Sequence, residues 1–507
     1  MTPSRRPWRL AAGALALGLL CACSSPTPAT APRWSSQALG LSRQASADLA
    51  ADWWTHWGDA RLQALVAQAL QDHPNMQQAQ ARLSRMQALV NAANSATLPQ
   101  IGLGADFTRQ RYSANGLFPK PIAGNTWNND TLQLSMGWSA DLWGEQAAAL
   151  AAAVGQTRAT AAEAAMAQQL LASQILRASV GLARLLAQQS IGQALIEVRA
   201  QSQQLVRARQ EAGLDTRIDR AQSETSLAEL QAQQLALQEQ VALARHQLAV
   251  LCGLPPQALL DYAPALQDFA LAPLPTELGA DLLGRRPDVV AARWRAEAAQ
   301  QNVKVARAQF YPSVNLGLFA GYNALGTAHL LESASRQYGV LPALRLPLFE
   351  GGRLQAQLSG REAERDGAVA FYQQTVLDAV REAADAIRSQ QGAAEQAAEQ
   401  ARALRGAQQA HTLAQQRVQA GLGNRLSALS AQASWLTQQR LVVDGLARQL
   451  DVQVQLVRAL GGGWSEQAPA GGTSASALSG AQPVPPSGRA DDATFGAKFS
   501  ATHSASR

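Results

Sequence analysis

The chain has 507 residues, a formal net charge of +6 and three cysteines. Three of its positive charges, Arg5, Arg6 and Arg9, precede an apolar run over residues 10–20, a pattern typical of a signal peptide spanning 1–22. Removal of this segment lowers the charge from +6 to +3. So small a charge argues against a nucleic-acid partner, because such proteins carry a basic stripe.

The predicted signal peptide ends in a sequence that marks a lipoprotein. Leu20-Cys21-Ala22-Cys23 resembles the lipobox of bacterial lipoproteins, in which the last cysteine, here Cys23, becomes the acylated N-terminus. Ser24 rather than aspartate follows it, which favours the outer membrane. Residues 23–50, rich in Pro, Ser, Thr and Ala, are then a lipidated tether. An ordinary signal peptide that is cleaved nearby is the alternative.

The remaining cysteine predicts no internal disulfide. Once the signal peptide has taken Cys21 and acylation has used Cys23, Cys252 has no thiol partner within the chain. Its neighbours Val250, Leu251 and Leu254 favour a buried and unreactive thiol over a reactive one.

Beyond the tether the sequence repeats itself once. Both halves have two prolines 25 residues apart and two glycines 69 residues apart: Pro74, Pro99, Gly144 and Gly213, then Pro287, Pro312, Gly352 and Gly421. The offset between halves falls from 213 at the prolines to 208 at the glycines, so the intervening segment is longer in the first half. We interpret 51–256 and 285–464 as two repeats, 257–284 as a linker and 465–507 as a disordered tail.

Each half contains two segments in which apolar and polar residues alternate, as in a strand with one apolar face. They lie at about 100–112, 128–140, 313–323 and 337–348. Each is long enough for a tilted strand to cross a bilayer. A soluble sheet with one solvated face fits the alternation equally well, but the outer-membrane signal favours membrane strands. Pro342 predicts a bulge or an edge strand.

Very long helices are predicted between these strand pairs. Gln146–Arg209 and Arg353–Gln419 lack proline and are rich in Ala, Gln, Leu, Glu and Arg, which are good helix formers. Shorter return helices follow at Asp219–Leu251 and Leu426–Leu460. Because small residues replace sustained apolar heptads, we interpret these helices as walls wetted on both sides. A solid helical bundle is the alternative.

The sequence contains no recognisable catalytic or metal-binding motif. The six histidines are scattered, and no cysteine pair has the spacing of a zinc site. Phosphate-binding Gly-Lys-Ser/Thr loops and Gly-x-Ser-x-Gly elbows are also absent. Asp378, Glu382 and Asp385 share a helix face with Arg381, which we interpret as a solvated charged face. We therefore predict that the protein is not an enzyme and binds neither cofactor nor metal.

A series of short motifs, in this order, resembles the TolC-like outer-membrane efflux factors, in the lipoprotein branch that includes nodulation-type members. The resemblance covers about 50–463. It rests on Cys23, Trp53-Trp54, Asp59 with Leu62, Pro74, Leu98-Pro99, Asp141-Leu142-Trp143-Gly144, Pro287, Tyr311-Pro312, Phe349-Glu350-Gly351-Gly352 and Ala459-Leu460-Gly461-Gly462-Gly463-Trp464.

This resemblance implies a mainly α fold with membrane β-strands, built from a duplicated unit of a strand pair and a long helical hairpin. A homotrimer would form a 12-stranded barrel among outer-membrane lipids and a 12-helix barrel in the periplasm. It would act as a passive exit duct for small molecules, driven by an inner-membrane pump through a periplasmic adaptor. A type I protein secretion duct and a periplasmic helical adaptor or spacer lipoprotein are the alternatives.

The resemblance also assigns roles to the two helix tips. Family members close the tunnel just after the second Ala-Gly-Leu turn, where many carry Asp and Arg at the positions of Ser430 and Ala433. A latch of that kind is impossible here, and our hypothesis is that Arg425 pairs with Asp215 or Asp219. A solvated charge at the start of a helix is the alternative for Arg425. The predicted gate residues are Arg425, Leu426, Ser430, Asp215 and Asp219. The predicted adaptor-docking residues are Ala212, Gly213, Leu214, Ala420, Gly421 and Leu422.

Overall fold

The computed structural model describes residues 50–271 and 282–466. The predicted signal peptide, Cys23, almost all of the tether and almost all of the tail lie outside these residues. Each half of the described chain has the same order of elements: helix, two strands, a very long helix and a return helix.

The first half comprises α1 (Ala60–Asp72), α2 (Pro74–Ser95), β1 (Gln100–Arg111), β2 (Thr126–Ala140), α3 (Glu145–Glu211) and α4 (Arg217–Leu251). The second comprises α5 (Pro287–Ala308), β3 (Ser313–Leu325), β4 (Arg336–Arg345), α6 (Arg353–Gln419) and α7 (Arg425–Ala459), after a single turn at Leu282–Arg285. The bounds predicted for the four long helices are confirmed to within two residues.

The two halves match closely in length along their helical hairpins. Both long helices have 67 residues and both return helices have 35. At 1.5 Å per residue, each long helix rises about 100 Å. Gly144 and Gly352, with φ of 74° and 86°, precede the two long helices and hold a left-handed conformation that suits glycine.

The four strands form one antiparallel sheet in the order β1-β2-β3-β4, in which β2 and β3 join the two halves. One row of direct cross-strand partners runs through Leu103, Leu134, Ala320 and Tyr338. Partners in such a row share a face, so the register places all four apolar stripes on the same side of the sheet.

Details of the strands differ from the sequence-based expectation. β4 ends at Arg345, not near 348, because Pro347 has no N–H for a ladder. Pro342 pairs in register with Leu316 on an edge strand, and the ladder continues past it. Of the two expectations for this proline, the edge position is therefore the observed one. The first strand connection, 112–125, is longer than the second, 326–335, as predicted.

The main core surrounds the middle of α3. Residues Ile175, Leu176 and Leu182 of this helix are fully buried against α1, α4 and α7. The prediction that the helices are wetted on both sides is therefore wrong for this part of α3. α3 also contains an 18-residue segment that is long and apolar enough for a membrane span. Since 56% of that segment is buried, its apolar composition is explained by the protein core.

The segment predicted as a linker contributes to this core. Its described part, up to residue 271, buries Leu259, Tyr262, Leu266 and Phe269 against α3 and α4. It therefore packs as part of the fold. Cys252 is buried in the same cluster, and burial raises the pKa of its thiol to about 12. The predicted burial of Cys252 is confirmed.

A buried arginine ties the start of the second half to α6 and α7. Arg286 is only 6% exposed; it forms ion pairs with Asp288 and Glu382 and donates to the carbonyl oxygen of Ala459 at 3.1 Å. Burial opposes its charge, but the two carboxylates outweigh this effect and raise the pKa of Arg286. Glu382 was expected on a solvated charged face, and its side chain is 37% exposed, but its pairing with Arg286 was not predicted. Arg381 does pair there with exposed carboxylates.

Candidate functional site

One face of the sheet exposes a continuous apolar surface. Leu103 on β1 and Leu344 on β4 are each 72% exposed, and Ile101, Phe107 and Val340 are also exposed. Water would disfavour an apolar patch of this extent, whereas lipid would cover it. The opposite face carries mainly glycine and polar residues, including Gly102, Gln133, Ser135, Asn315 and Gln337.

The sheet also has two unpaired edges. Within the described residues β1 pairs only with β2, and β4 pairs only with β3. Free backbone groups at such edges cannot face hydrocarbon, where nothing satisfies their hydrogen bonds. The sheet is therefore complete only when its edges pair with further strands.

An aromatic cluster lies where the strands meet the long helices. The rings of Trp143 and Tyr311 stack at 4.7 Å, and the Trp143 indole N–H donates to the Pro312 carbonyl at 2.8 Å. Asp141 accepts hydrogen bonds from the first turn of α3. The motif that begins at Asp141 thus starts the helix and links the two halves. Aromatic side chains that are partly exposed are typical of a membrane interface.

Both helix tips have the same backbone geometry. At the first, the N–H of Leu214 donates to the Arg209 carbonyl at 2.8 Å and that of Gly213 to the Gln210 carbonyl at 3.0 Å. This is a Schellman motif, whose left-handed residue is Gly213 with φ of 76°. The second tip repeats it at Gly421, with φ of 72°.

The predicted docking turns expose large apolar side chains. Leu214 is 68% exposed and Leu422 is 74% exposed. Ile218, which was not among the predicted residues, is 68% exposed one turn further along. The repeat could have identified Ile218, because it corresponds to Leu426, which lies 208 residues further along in the second half. The three side chains present an apolar surface at the ends of the hairpins.

The acidic residues at the first tip have partners other than the predicted one. Asp215 receives two hydrogen bonds from Arg209, both at 2.9 Å, and this raises the pKa of Arg209. Asp219 accepts hydrogen bonds from Thr216 in a capping box, which lowers the pKa of Asp219. The expected pairing of either carboxylate with Arg425 is therefore not formed within the described protomer. The spacing of charged residues along the sequence did not identify Arg209 as the partner of Asp215.

The two tips differ in this ion pair. At the offset of 208, Arg209 corresponds to Arg417 and Asp215 corresponds to Gly423. A Cβ at Gly423 would lie 3.0 Å from Cβ of Arg417, so a side chain there would need a small shift of the second turn. Of these two corresponding positions, only the first tip carries a carboxylate.

The other predicted gate residues lie along the start of α7. Leu426 and Ser430 together line a shallow groove of about 600 Å³ with Ala407 and Ala410 of α6. Arg425 is exposed at the first position of α7, which is capped by Asn424. The structure thus brings Leu426 and Ser430 together in one groove and leaves Arg425 outside it.

The sequence matches the model of one protein family, described as outer membrane efflux protein, over residues 65–254 and 278–462. The chain belongs to the outer membrane efflux protein family. The matched ranges contain α3, all four strands and both helical hairpins.

Relatives of this efflux protein have similar length. It is 34% identical over 432 residues to the multidrug resistance outer membrane protein MdtQ of Escherichia coli O157:H7, covering 81% of this chain and 88% of MdtQ. It is 38% identical over 321 residues to the fusaric acid resistance protein FusA of Burkholderia cepacia, covering 62% of this chain and 60% of FusA. The outer membrane protein VceC of Vibrio cholerae matches its fold with a TM-score of 0.75 and 35% identity, over 82% of this chain and 99% of that one.

These findings confirm the family, the outer-membrane location and the efflux function expected from the sequence. The efflux protein is an outer-membrane channel, and the family is one of transport proteins. The periplasmic adaptor alternative does not fit this family, and relatives named for drug resistance favour efflux over protein secretion.

Proposed function

We propose that the protein is the exit duct of a tripartite efflux system and acts as a homotrimer with a periplasmic adaptor and an inner-membrane pump. The observation that supports this most is a four-stranded sheet with one exposed apolar face and two unpaired edges. Three copies would supply twelve strands, above the minimum of about eight in known bacterial membrane barrels. Pairing of β4 with β1 of the next copy would leave no edge.

The mechanism of such a duct is passive. The face that carries Gly102, Gln133 and Ser135 would line the channel, and the apolar face would contact lipid. A polar lining lets solutes pass without a specific pocket, so the pump selects the cargo and supplies the energy. The names of the relatives support small organic molecules as the cargo. Acyl chains on Cys23 would add an anchor in the same membrane.

Oligomerisation and conductance test this proposal directly. The protein purified in detergent should run as a heat-resistant trimer and should give channel conductance in a planar bilayer. A monomer without conductance would overturn the proposal. Immunoprecipitation with a candidate adaptor then tests the tripartite assembly separately, because a conducting trimer that binds no adaptor would leave only the duct.

The gate is proposed to lie at the helix tips, where Arg209 and Asp215 hold the first turn. Asp215→Asn should weaken this pair and raise the single-channel conductance. The matched control is Glu211→Gln, which removes an equal charge from the exposed pair with Arg207 in the last turn of the same helix. Unchanged conductance in the Asp215 variant, or an equal increase in the control, would show that the gate lies elsewhere.

Adaptor docking is proposed at the exposed apolar side chains of the two turns. Leu214→Ser combined with Leu422→Ser should abolish drug efflux in cells without loss of trimers, because the backbone motifs remain intact. Leu235→Ser is the control, since this leucine is similarly exposed, at 66%, but lies within α4. Full resistance in cells that express the double variant would place the docking surface elsewhere.

A further inference from the structure

Three arginines lie at the outer ends of the two edge strands. Arg109 and Arg111 continue the alternation that begins at Ile101 on β1, and Arg336 lies two residues before Tyr338 on β4. Alternate residues of a strand share a face. All three arginines therefore belong to the apolar, lipid-facing side of the sheet, beyond its apolar residues.

Arg109 and Arg336 are also equally far from the helix-proximal ends of their strands. Arg109 is nine residues from Gln100, the first residue of β1, and Arg336 is nine residues from Arg345, the last of β4. Nine residues span about 30 Å along a strand, or about 23 Å of height at a tilt of about 40°. The apolar band of an outer-membrane barrel is about 25 Å tall, so both arginines reach its outer boundary.

Within the described residues, none of these three guanidinium groups forms an ion pair, and all three residues are exposed. Each nearby carboxylate lies on the other face, is buried or has a different partner. Asp106 belongs to the opposite face of β1. Asp130 shares the lipid-facing side but is only 2% exposed, and Glu332 binds His329 at 2.8 Å. Within the described protomer, Arg109 and Arg111 thus lie at one edge of the sheet and Arg336 at the other, each without an ion-pair partner.

Closure of the barrel would concentrate this charge. It would place β4 of one copy about 4.8 Å from β1 of the next, which brings Arg336 beside Arg109 and Arg111 of the neighbouring copy. Like charges on adjacent strands repel each other. An anion that bridges the two copies would relieve this repulsion, and arginine binds phosphate in bidentate fashion.

We propose that the patch formed by Arg109, Arg111 and Arg336 binds the phosphate groups of a phosphorylated glycolipid, lipopolysaccharide, in the outer leaflet at each seam between copies. The inference rests on the proposed trimer, because the seam exists only there. The bound lipid would join adjacent copies, so it would raise the temperature at which the trimer dissociates.

The test measures this dissociation temperature in neutral detergent as purified lipopolysaccharide is added. The wild-type trimer should be stabilised, and the double variant Arg109→Gln/Arg336→Gln should need at least tenfold more lipopolysaccharide for half of the effect. Arg345→Gln is the control, because it removes the same charge from the other face and the other end of β4. This control should respond as the wild type does.

Three further probes identify the ligand: dephosphorylated lipopolysaccharide, phosphatidylglycerol and inorganic phosphate. None should stabilise the trimer at the concentration that suffices for lipopolysaccharide. Equal stabilisation by any of them, or an unimpaired response of the double variant, would overturn the proposal. If the wild-type protein is a conducting trimer whose dissociation temperature does not change with lipopolysaccharide, only the proposed binding patch is refuted. A monomer without conductance would refute the proposed function itself.

Discussion

Replacement of Arg286 by alanine is expected to lower the free energy of unfolding by about 1–3 kcal/mol, less than for a fully buried ion pair, because the carboxylates of Asp288 and Glu382 stay partly exposed. The substitution leaves the carboxylates of Asp288 and Glu382 without their cation. It also leaves the Ala459 carbonyl, at the end of α7, without a donor. The measurement is a urea titration of the detergent-solubilised protein, followed by intrinsic tryptophan fluorescence.

The matched control is Arg381→Ala. Arg381 also contacts two carboxylates, those of Asp378 and Asp385, but its side chain is 61% exposed. An exposed pair of this kind contributes about 0.2–1 kcal/mol. If both substitutions shift the unfolding midpoint equally, the Arg286 cluster is not a stabilising centre of the fold.

Leu134→Arg is expected to impair insertion into the outer membrane strongly. Leu134 lies in the central part of β2, in the row with Leu103 and Ala320 on the apolar face. An arginine that faces lipid near the middle of the bilayer costs about 2–4 kcal/mol in a membrane barrel. The fraction of heat-resistant trimer in the outer membrane, measured by immunoblot after membrane fractionation, should fall sharply.

The neighbouring residue provides the control for this prediction. Ser135 lies at almost the same depth but belongs to the opposite, polar face of the sheet. Ser135→Arg should leave the amount of trimer nearly unchanged, since water in the channel solvates the new charge. Equal losses from both variants would mean that the two faces do not differ in environment.

The elements of this fold could be read from the sequence because their signals are local. Glycine at Gly144, Gly213, Gly352 and Gly421 starts or ends the long helices through a backbone conformation that other residues rarely adopt. Alternation with a period of two shows which side of each strand is apolar. Both kinds of signal depend only on neighbouring residues, so they can be interpreted without any knowledge of tertiary contacts.

Side-chain pairing was less predictable, because it depends on which partner the fold brings close. Several charged residues at the first tip are plausible partners by spacing, and Asp215 binds Arg209, not Arg425. Glu382 lies on a solvated helix face, as its neighbours in the sequence suggest, but its pairing with Arg286 depends on the fold. The same holds for residues 257–271, because the packing of their apolar side chains against the core depends on tertiary contacts that the local sequence does not show.

The equal lengths of the helical hairpins have a consequence for symmetry. With 67 and 35 residues in each half, both turns of a protomer extend equally far from the sheet. In the proposed trimer the six turns would form a level rim with approximate sixfold symmetry. The carboxylate of Asp215, absent at Gly423, reduces that symmetry to threefold. A partner ring of six identical subunits would therefore meet two alternating environments, and its subunits would bind with two different affinities.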